Sequence, residues 1–219
     1  MLAAVNAIQI HYEKSGSGQP LILLHGNGES NRIFDKAIPI LSQHFTVYAL
    51  DTRGHGKSGK VDSYHYADMA EDVRCFIETL GLQKPILYGF SDGGIIGLML
   101  AAQHPNLLSR LITSGVNIRP DGIRNGWLNL FKAAYALTKD PKIKMMLEEP
   151  DIPSETLQKI TIPTIVLAGS RDMVKQAHTE QIAGSIKGST LRILKGEGHT
   201  SYVIHKSRIA ELILESTSV

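Results

Sequence analysis

The chain has 219 residues, 42% of them hydrophobic and 20% charged, with a formal net charge of +2 and a mean hydropathy of -0.05. That length and composition suit one domain with a sizeable core, and a pI near 8.6 is too mild to point to nucleic acid or an anionic membrane as partner. No apolar run is long enough to span a bilayer, Met1–Asn6 lacks the features of a signal peptide, and the single cysteine, Cys75, permits no internal disulfide, so a cytoplasmic location is expected.

Apolar runs alternate with amphipathic segments, the pattern of an α/β protein with a mostly parallel sheet. In chain order, strands are expected at Ile8–Glu13 and Leu21–Leu24, a helix over Arg32–Leu41, and a strand at Thr46–Leu50. A helix over Tyr66–Leu80 follows, stopped by Gly81, and within it Cys75 reads as a buried structural thiol. The strand Ile86–Tyr88 leads into a helix over Gly93–Gln103, then come strands Arg110–Thr113 and Thr164–Ala168, a helix over Gln176–Ser185, a strand at Thr190–Leu194 and a helix over Ser201–Glu215. Several strands are apolar at consecutive positions, so helices should cover both sheet faces. The expected architecture is a three-layer sandwich around a sheet of about seven or eight strands.

One segment breaks the alternation. From Asn117 to about Ile160 there is no strand-like run, and Trp127, Leu130, Phe131, Ala134 and Tyr135 recur at three- and four-residue spacings, which gives one apolar face on a short helix. Residues 1–219 therefore read as a single domain carrying a small helical insertion, or lid, at about 117–160. Its apolar face either packs on the domain or also lines a pocket.

The chemistry centres on Gly89-Phe90-Ser91-Asp92-Gly93, between a strand and a helix. Small residues around Ser91 permit a sharp turn that lifts its hydroxyl above the carboxyl edge of the sheet at a helix N-terminus. A serine needs a base, and the base needs an orienting carboxylate. Of nine histidines, His199 follows the last expected strand and emerges on the same sheet edge as Ser91. His55, His104 and His205 have weaker positions, in a turn, at a helix end and in a terminal helix. Asp172, just past the strand Thr164–Ala168, is the expected acid, with Glu197 as its backup. The oxyanion donors would be the N–H of Asp92 and that of Asn27, in the loop His25-Gly26-Asn27-Gly28. The Asp92 side chain itself is expected to point outward, as a structural carboxylate favoured by the helix dipole. Phe90, Trp127, Phe131 and Met173 are candidate substrate contacts.

These segments, with Asp51-Thr52-Arg53-Gly54-His55-Gly56-Lys57-Ser58 and Gly198-His199, are similar to the α/β-hydrolase fold superfamily, in its lipase/esterase-like branch with a short lid. The Asp51–Ser58 stretch is a structural turn in that branch. The resemblance implies a serine esterase acting on small or medium acyl or aromatic esters, with no metal and no cofactor. A serine nucleophile disfavours the dehalogenases and epoxide hydrolases of this fold, which use aspartate. A carbon–carbon bond hydrolase, thioesterase, amidase or lysophospholipase would use the same three residues, and a non-catalytic ligand-binding or signalling protein could keep the same pocket.

Overall fold

Alternate residues of the central strands face opposite ways, and here both sets are apolar. Ile22, Leu24, Leu87, Leu111 and Val166 point into one core layer, while Leu21, Leu23, Tyr88, Ile112 and Leu167 point into another. A sheet with two apolar faces is stable only between two layers of helices, and the chain supplies them. The computed structural model describes residues 1–217. The elements run β1 (Leu2–Val5), β2 (Ile8–Ser15), β3 (Gln19–Leu24), α1 (Ile38–Leu41), β4 (Phe45–Leu50), α2 (Tyr66–Thr79), β5 (Ile86–Phe90), α3 (Asp92–Gln103) and β6 (Arg110–Ser114). There follow α4 (Asn125–Thr138), α5 (Pro141–Glu148), α6 (Ser154–Leu157), β7 (Thr164–Arg171), α7 (Gln176–Ser185), β8 (Thr190–Gly198) and α8 (Arg208–Thr217).

The eight strands lie in the order β1-β2-β4-β3-β5-β6-β7-β8. β1 and β2 are antiparallel additions, and the six strands β4-β3-β5-β6-β7-β8 run parallel to one another. Residues of α2, α3, α6 and α7 cover one face, and residues of α1 and α8 cover the other. The chain leaves β3 toward one edge and β5 toward the opposite edge, so a crevice opens beyond their carboxyl ends. Ligands bind at such switch points in open α/β sheets.

Three segments depart from the sequence expectation. β1 pairs with β2 through Asn6 and Ala7, which both take positive φ values of 44° and 60°. Four residues with two alanines carry too little apolar periodicity to announce a strand. The helix expected over Arg32–Leu41 is a 3-10 turn at Asn31–Phe34 followed by α1, because Pro39 fits the first turn of a new helix but cannot continue an old one. The last helix begins at Arg208 and not Ser201, after a turn in which His205 adopts a φ of 53°. Cys75 is half-buried rather than buried, and Glu71 Oε1 lies 3.6 Å from its sulfur.

The Asp51–Ser58 turn is built on Asp51, which accepts hydrogen bonds from the N–H groups of Asn31 (2.8 Å) and Lys57 (2.9 Å). Gly56, at φ 51°, has no room for a side chain, since a Cβ would lie 2.1 Å from Asp51 Oδ2. Arg53 makes two bonds to the Asp72 carboxylate at 2.6 and 2.7 Å, clamping the turn to α2.

Candidate active site

Two glycines make the turn at Ser91 possible. A Cβ on Gly89 would stand 2.1 Å from Gly93 O, and one on Gly93 would stand 2.4 Å from Leu24 O. Without side chains there, α3 can start directly against β3 and β5. Ser91 itself takes φ 51° and ψ −116°, a conformation that costs a non-glycine residue of the order of 1–3 kcal/mol and clusters at functional sites. Its N–H donates to Ser114 O (2.8 Å), its carbonyl accepts from Gly94 N (2.8 Å), and Gly93 N donates to His25 O (3.1 Å). The strained turn is thereby pinned to β6 and to the end of β3.

Asp172, after β7, and His199, after β8, meet Ser91 at the same carboxyl edge of the sheet. His199 Nε2 lies 3.2 Å from Ser91 Oγ, and its Nδ1 lies 2.7 Å from Asp172 Oδ1. Asp172 also accepts from the N–H groups of Val174 (3.0 Å) and Gly169 (3.4 Å). Burial alone would push the Asp172 carboxyl up, but the hydrogen bond and charge of His199 and these N–H donors hold it below its ordinary value. Glu197, the backup acid, is bonded instead to the Ser201 hydroxyl. Of the weaker histidines, His55 accepts the Gly28 N–H at Nε2 (3.0 Å), and His205 pairs with Asp35 at 3.0 Å.

The loop after β3 is held by His25, to which the sequence alone assigned no role. His25 Nε2 accepts from Thr52 N (3.0 Å), so Nδ1 carries the proton and donates to Gly26 O (2.7 Å). Burial lowers the His25 pKa to about 4, which keeps the ring neutral in this role. A trans peptide points its C=O and N–H to opposite sides, so tying Gly26 O back presents the Asn27 N–H the other way. Among the described residues, neither the Asn27 N–H nor the Asp92 N–H donates to a protein acceptor. One of these unspent donors lies in the loop after β3 and the other at the start of α3, a pairing of the kind that can receive an oxyanion.

The Asp92 side chain does not point outward. It is 6% exposed, and it accepts from Tyr66 Oη (2.9 Å) and Asn27 Nδ2 (3.0 Å). The dipole argument placed the charge correctly at the helix start but ignored α2, whose buried Tyr66 offers a donor inside. Burial raises the Asp92 carboxyl to about 6, against the two hydrogen bonds and His199. The folded protein thus keeps a proton that the unfolded chain releases as pH rises from about 4 to 6, and stability falls across that window. The stability difference between Asp92→Asn and wild type should shift in the variant's favour by up to ~3 kcal/mol between pH 4 and pH 7.5, read from urea unfolding.

The segment between β6 and β7 is tied to the site on either side of α4. Arg124, before α4, donates its Nε to Asp172 O and its N–H to Met173 O, both at 2.8 Å. At the start of α5, Lys142 O accepts from Asn27 Nδ2 at 3.3 Å. The other end of α5 is held by Glu149, which bonds His65 (2.6 Å) and the Tyr66 N–H (3.1 Å). Between these roots α4 fully buries no residue, although Leu128, Phe131, Ala134 and Tyr135 are half-buried.

The four candidate contacts have different surroundings. Phe90 is fully buried, with its ring centroid 5.0 Å from that of His199, and Met173 is buried beside Asp172. Trp127 is 47% exposed and faces Phe131 along α4, with centroids 6.4 Å apart.

Gly115 and Glu29 were missed entirely. A Cβ on Gly115 would lie 2.7 Å from His199 Cε1 and 2.8 Å from its Nδ1, so the imidazole rests against bare backbone. A glycine one residue past a strand carries no signal of this in sequence. Glu29 accepts the Gly26 N–H at 2.9 Å, and only the folded loop brings it there.

Comparison with known proteins bears on the fold and the family. Residues 19–137 match the family model described as alpha/beta hydrolase fold. The human protein named serine hydrolase BPHL is 28% identical over 97% of this chain and 85% of its own length. The 2-hydroxy-6-oxo-6-(2'-aminophenyl)hexa-2,4-dienoic acid hydrolase of Metapseudomonas resinovorans is 27% identical over 98% of this chain and 90% of its own. Among solved structures, a bromoperoxidase from Bacillus anthracis superposes with a TM-score of 0.87 at 21% identity, covering 100% of this chain and 99% of that one. With a matching family model over more than half its length and an eight-stranded, mostly parallel sheet between helical layers, this chain belongs to the α/β-hydrolase fold family.

Proposed function

We propose that the chain is a serine hydrolase of carboxylic esters, with small or medium acyl or aromatic groups, that works through an acyl-enzyme. The observation that carries this reading is the unbroken run of contacts from Asp172 Oδ1 to His199 Nδ1 (2.7 Å) and from His199 Nε2 to Ser91 Oγ (3.2 Å). His199 takes the hydroxyl proton as Ser91 Oγ bonds to the ester carbonyl carbon. Asp172 fixes the imidazole tautomer and stabilises the imidazolium. The N–H groups of Asn27 and Asp92 receive the developing oxyanion without reorganising. His199 then returns the proton to the departing alkoxide, and a water that it deprotonates releases the acid. Phe90 sets the His199 ring, Met173 borders the acid side, and the Trp127–Phe131 face supplies an outer apolar wall. No step needs a cofactor.

A second reading keeps the same residues and breaks a carbon–carbon bond beside a ketone, a chemistry open to a 6-oxo-dienoic acid of the kind named for the Metapseudomonas hydrolase. It differs in the leaving group, a carbanion that must be protonated. A fluorophosphonate probe tests the shared nucleophile. Stoichiometric labelling, located at Ser91 by peptide mapping, is expected. Folded protein that takes up no probe would favour a non-catalytic binding protein. Turnover of p-nitrophenyl butyrate, compared with a 2-hydroxy-6-oxo-dienoic acid, separates the two chemistries.

A further inference from the structure

The proposed reaction leaves one titratable group beside the nucleophile without a task. Glu29 is half-buried at the end of the loop that carries Asn27. Its Oε2 accepts the Gly26 N–H at 2.9 Å, and the Glu29 N–H reaches back to Gly26 O at 3.4 Å. The other hold on Gly26 O is His25 Nδ1. Both peptide groups that flank Gly26 are therefore anchored, and the second of them ends in the Asn27 N–H. Gly26 is also where Glu29 and the nucleophile share a wall. A Cβ there would stand 3.0 Å from Glu29 Oε2, 3.1 Å from Ser91 Cβ and 3.3 Å from Phe90 Cε1.

We propose that Glu29 is a positioning residue for the oxyanion turn: its carboxylate holds the Gly26 N–H, so its charge state sets how firmly the Asn27 N–H is aimed. The inference rests on the serine-hydrolase reading for its effect on rate, but the anchoring can be read without any turnover. The ionisable groups that face Glu29 are His199 after β8, Asp92 at the start of α3 and His205 before α8, the last paired with Asp35. Burial, the largest influence, pushes the Glu29 carboxyl up to about 7, with Asp92 adding to the rise and the Gly26 N–H and the two histidines opposing it. An ionised acceptor makes the stronger bond to an N–H, so the turn tightens as pH rises through neutrality.

The test compares wild type, Glu29→Ala and Glu29→Gln in p-nitrophenyl butyrate hydrolysis and by the backbone amide resonance of Gly26. Glu29→Ala should lower kcat about tenfold or more while KM moves less than about threefold, because the loss falls on oxyanion stabilisation. Glu29→Gln keeps an acceptor oxygen and should recover most of that loss. The ratio of wild-type to Glu29→Gln kcat should rise between about pH 6 and pH 8, and because His199 and Asp92 also feel the Glu29 charge, the Gly26 resonance is the readout that isolates the anchor itself. In wild type the Gly26 resonance should titrate with a midpoint near pH 7, and in Glu29→Gln it should not. Thermal melts at pH 6 exclude a folding defect in either variant. If wild type hydrolyses the ester but the kcat ratio is flat with pH and Glu29→Ala has wild-type kcat, the Glu29 inference alone is overturned. If wild type neither hydrolyses esters nor labels with fluorophosphonate, the serine-hydrolase reading falls, and a Gly26 resonance that ignores pH removes the anchor as well.

Discussion

Ser91→Ala should reduce kcat/KM for p-nitrophenyl butyrate by about 10^4-fold or more while leaving the fold in place. Among the described residues the hydroxyl has one protein partner, His199 Nε2, and that ring is only part-buried, so water can take the place of the lost hydroxyl. The backbone around it is held by main-chain bonds to Ser114 and His25, which alanine keeps. Residual turnover above the uncatalysed rate is expected, because the Asn27 and Asp92 N–H groups remain in the variant. Equilibrium unfolding should move by less than about 1 kcal/mol. A variant with wild-type turnover would remove Ser91 from the reaction and with it the whole proposed mechanism.

Gly115→Ala should also slow the reaction, by about 10^2-fold, without replacing any side chain of the site. Gly115 takes a φ of 61°, and the added methyl would fall 2.7–2.8 Å from the His199 ring. The ring must swing away from Ser91, from Asp172 or from both, and a displacement of about 1 Å in such a relay can cost on the order of 10^2-fold in rate. Gly81→Ala is the matched control. Gly81 has nearly the same φ, 62°, with nothing within 4 Å of a Cβ. Both substitutions should cost about 1–2 kcal/mol for the left-handed backbone, but only Gly115→Ala should lower kcat. Equal activity in the two variants would mean that the Gly115 backbone does not seat the base.

The contrast between those glycines also marks where sequence is readable. β3, β5 and β7 were visible because burial on both faces demands consecutive apolar residues. The order Ser91, Asp172, His199 was visible because each follows a strand, and parallel strands deliver their loops to one edge. Arg32–Leu41 misled because an apolar pattern says nothing about where Pro39 restarts the helix. The direction of the Asp92 side chain depended on Tyr66, 26 residues away along the chain, and no local rule contains that. Glu29 and His25 look like ordinary loop residues until the loop folds onto itself. Local pattern thus located the groups proposed to react, while those that orient them came from tertiary contact.

The insertion has a consequence for how stability is distributed. A helix of 14 residues that fully buries none of them gains little from tertiary packing, and such a helix alone in water is marginal. Its amides should therefore exchange with solvent through local opening, far faster than those of β5 or α3 in the core. Its two roots, Arg124 on the Asp172 loop and Lys142 on Asn27, tie it instead to loops at the sheet edge. The arm can lengthen, shorten or change its apolar face while the sheet keeps its free energy. A protein built this way can exchange one substrate for another with almost no change in its melting temperature.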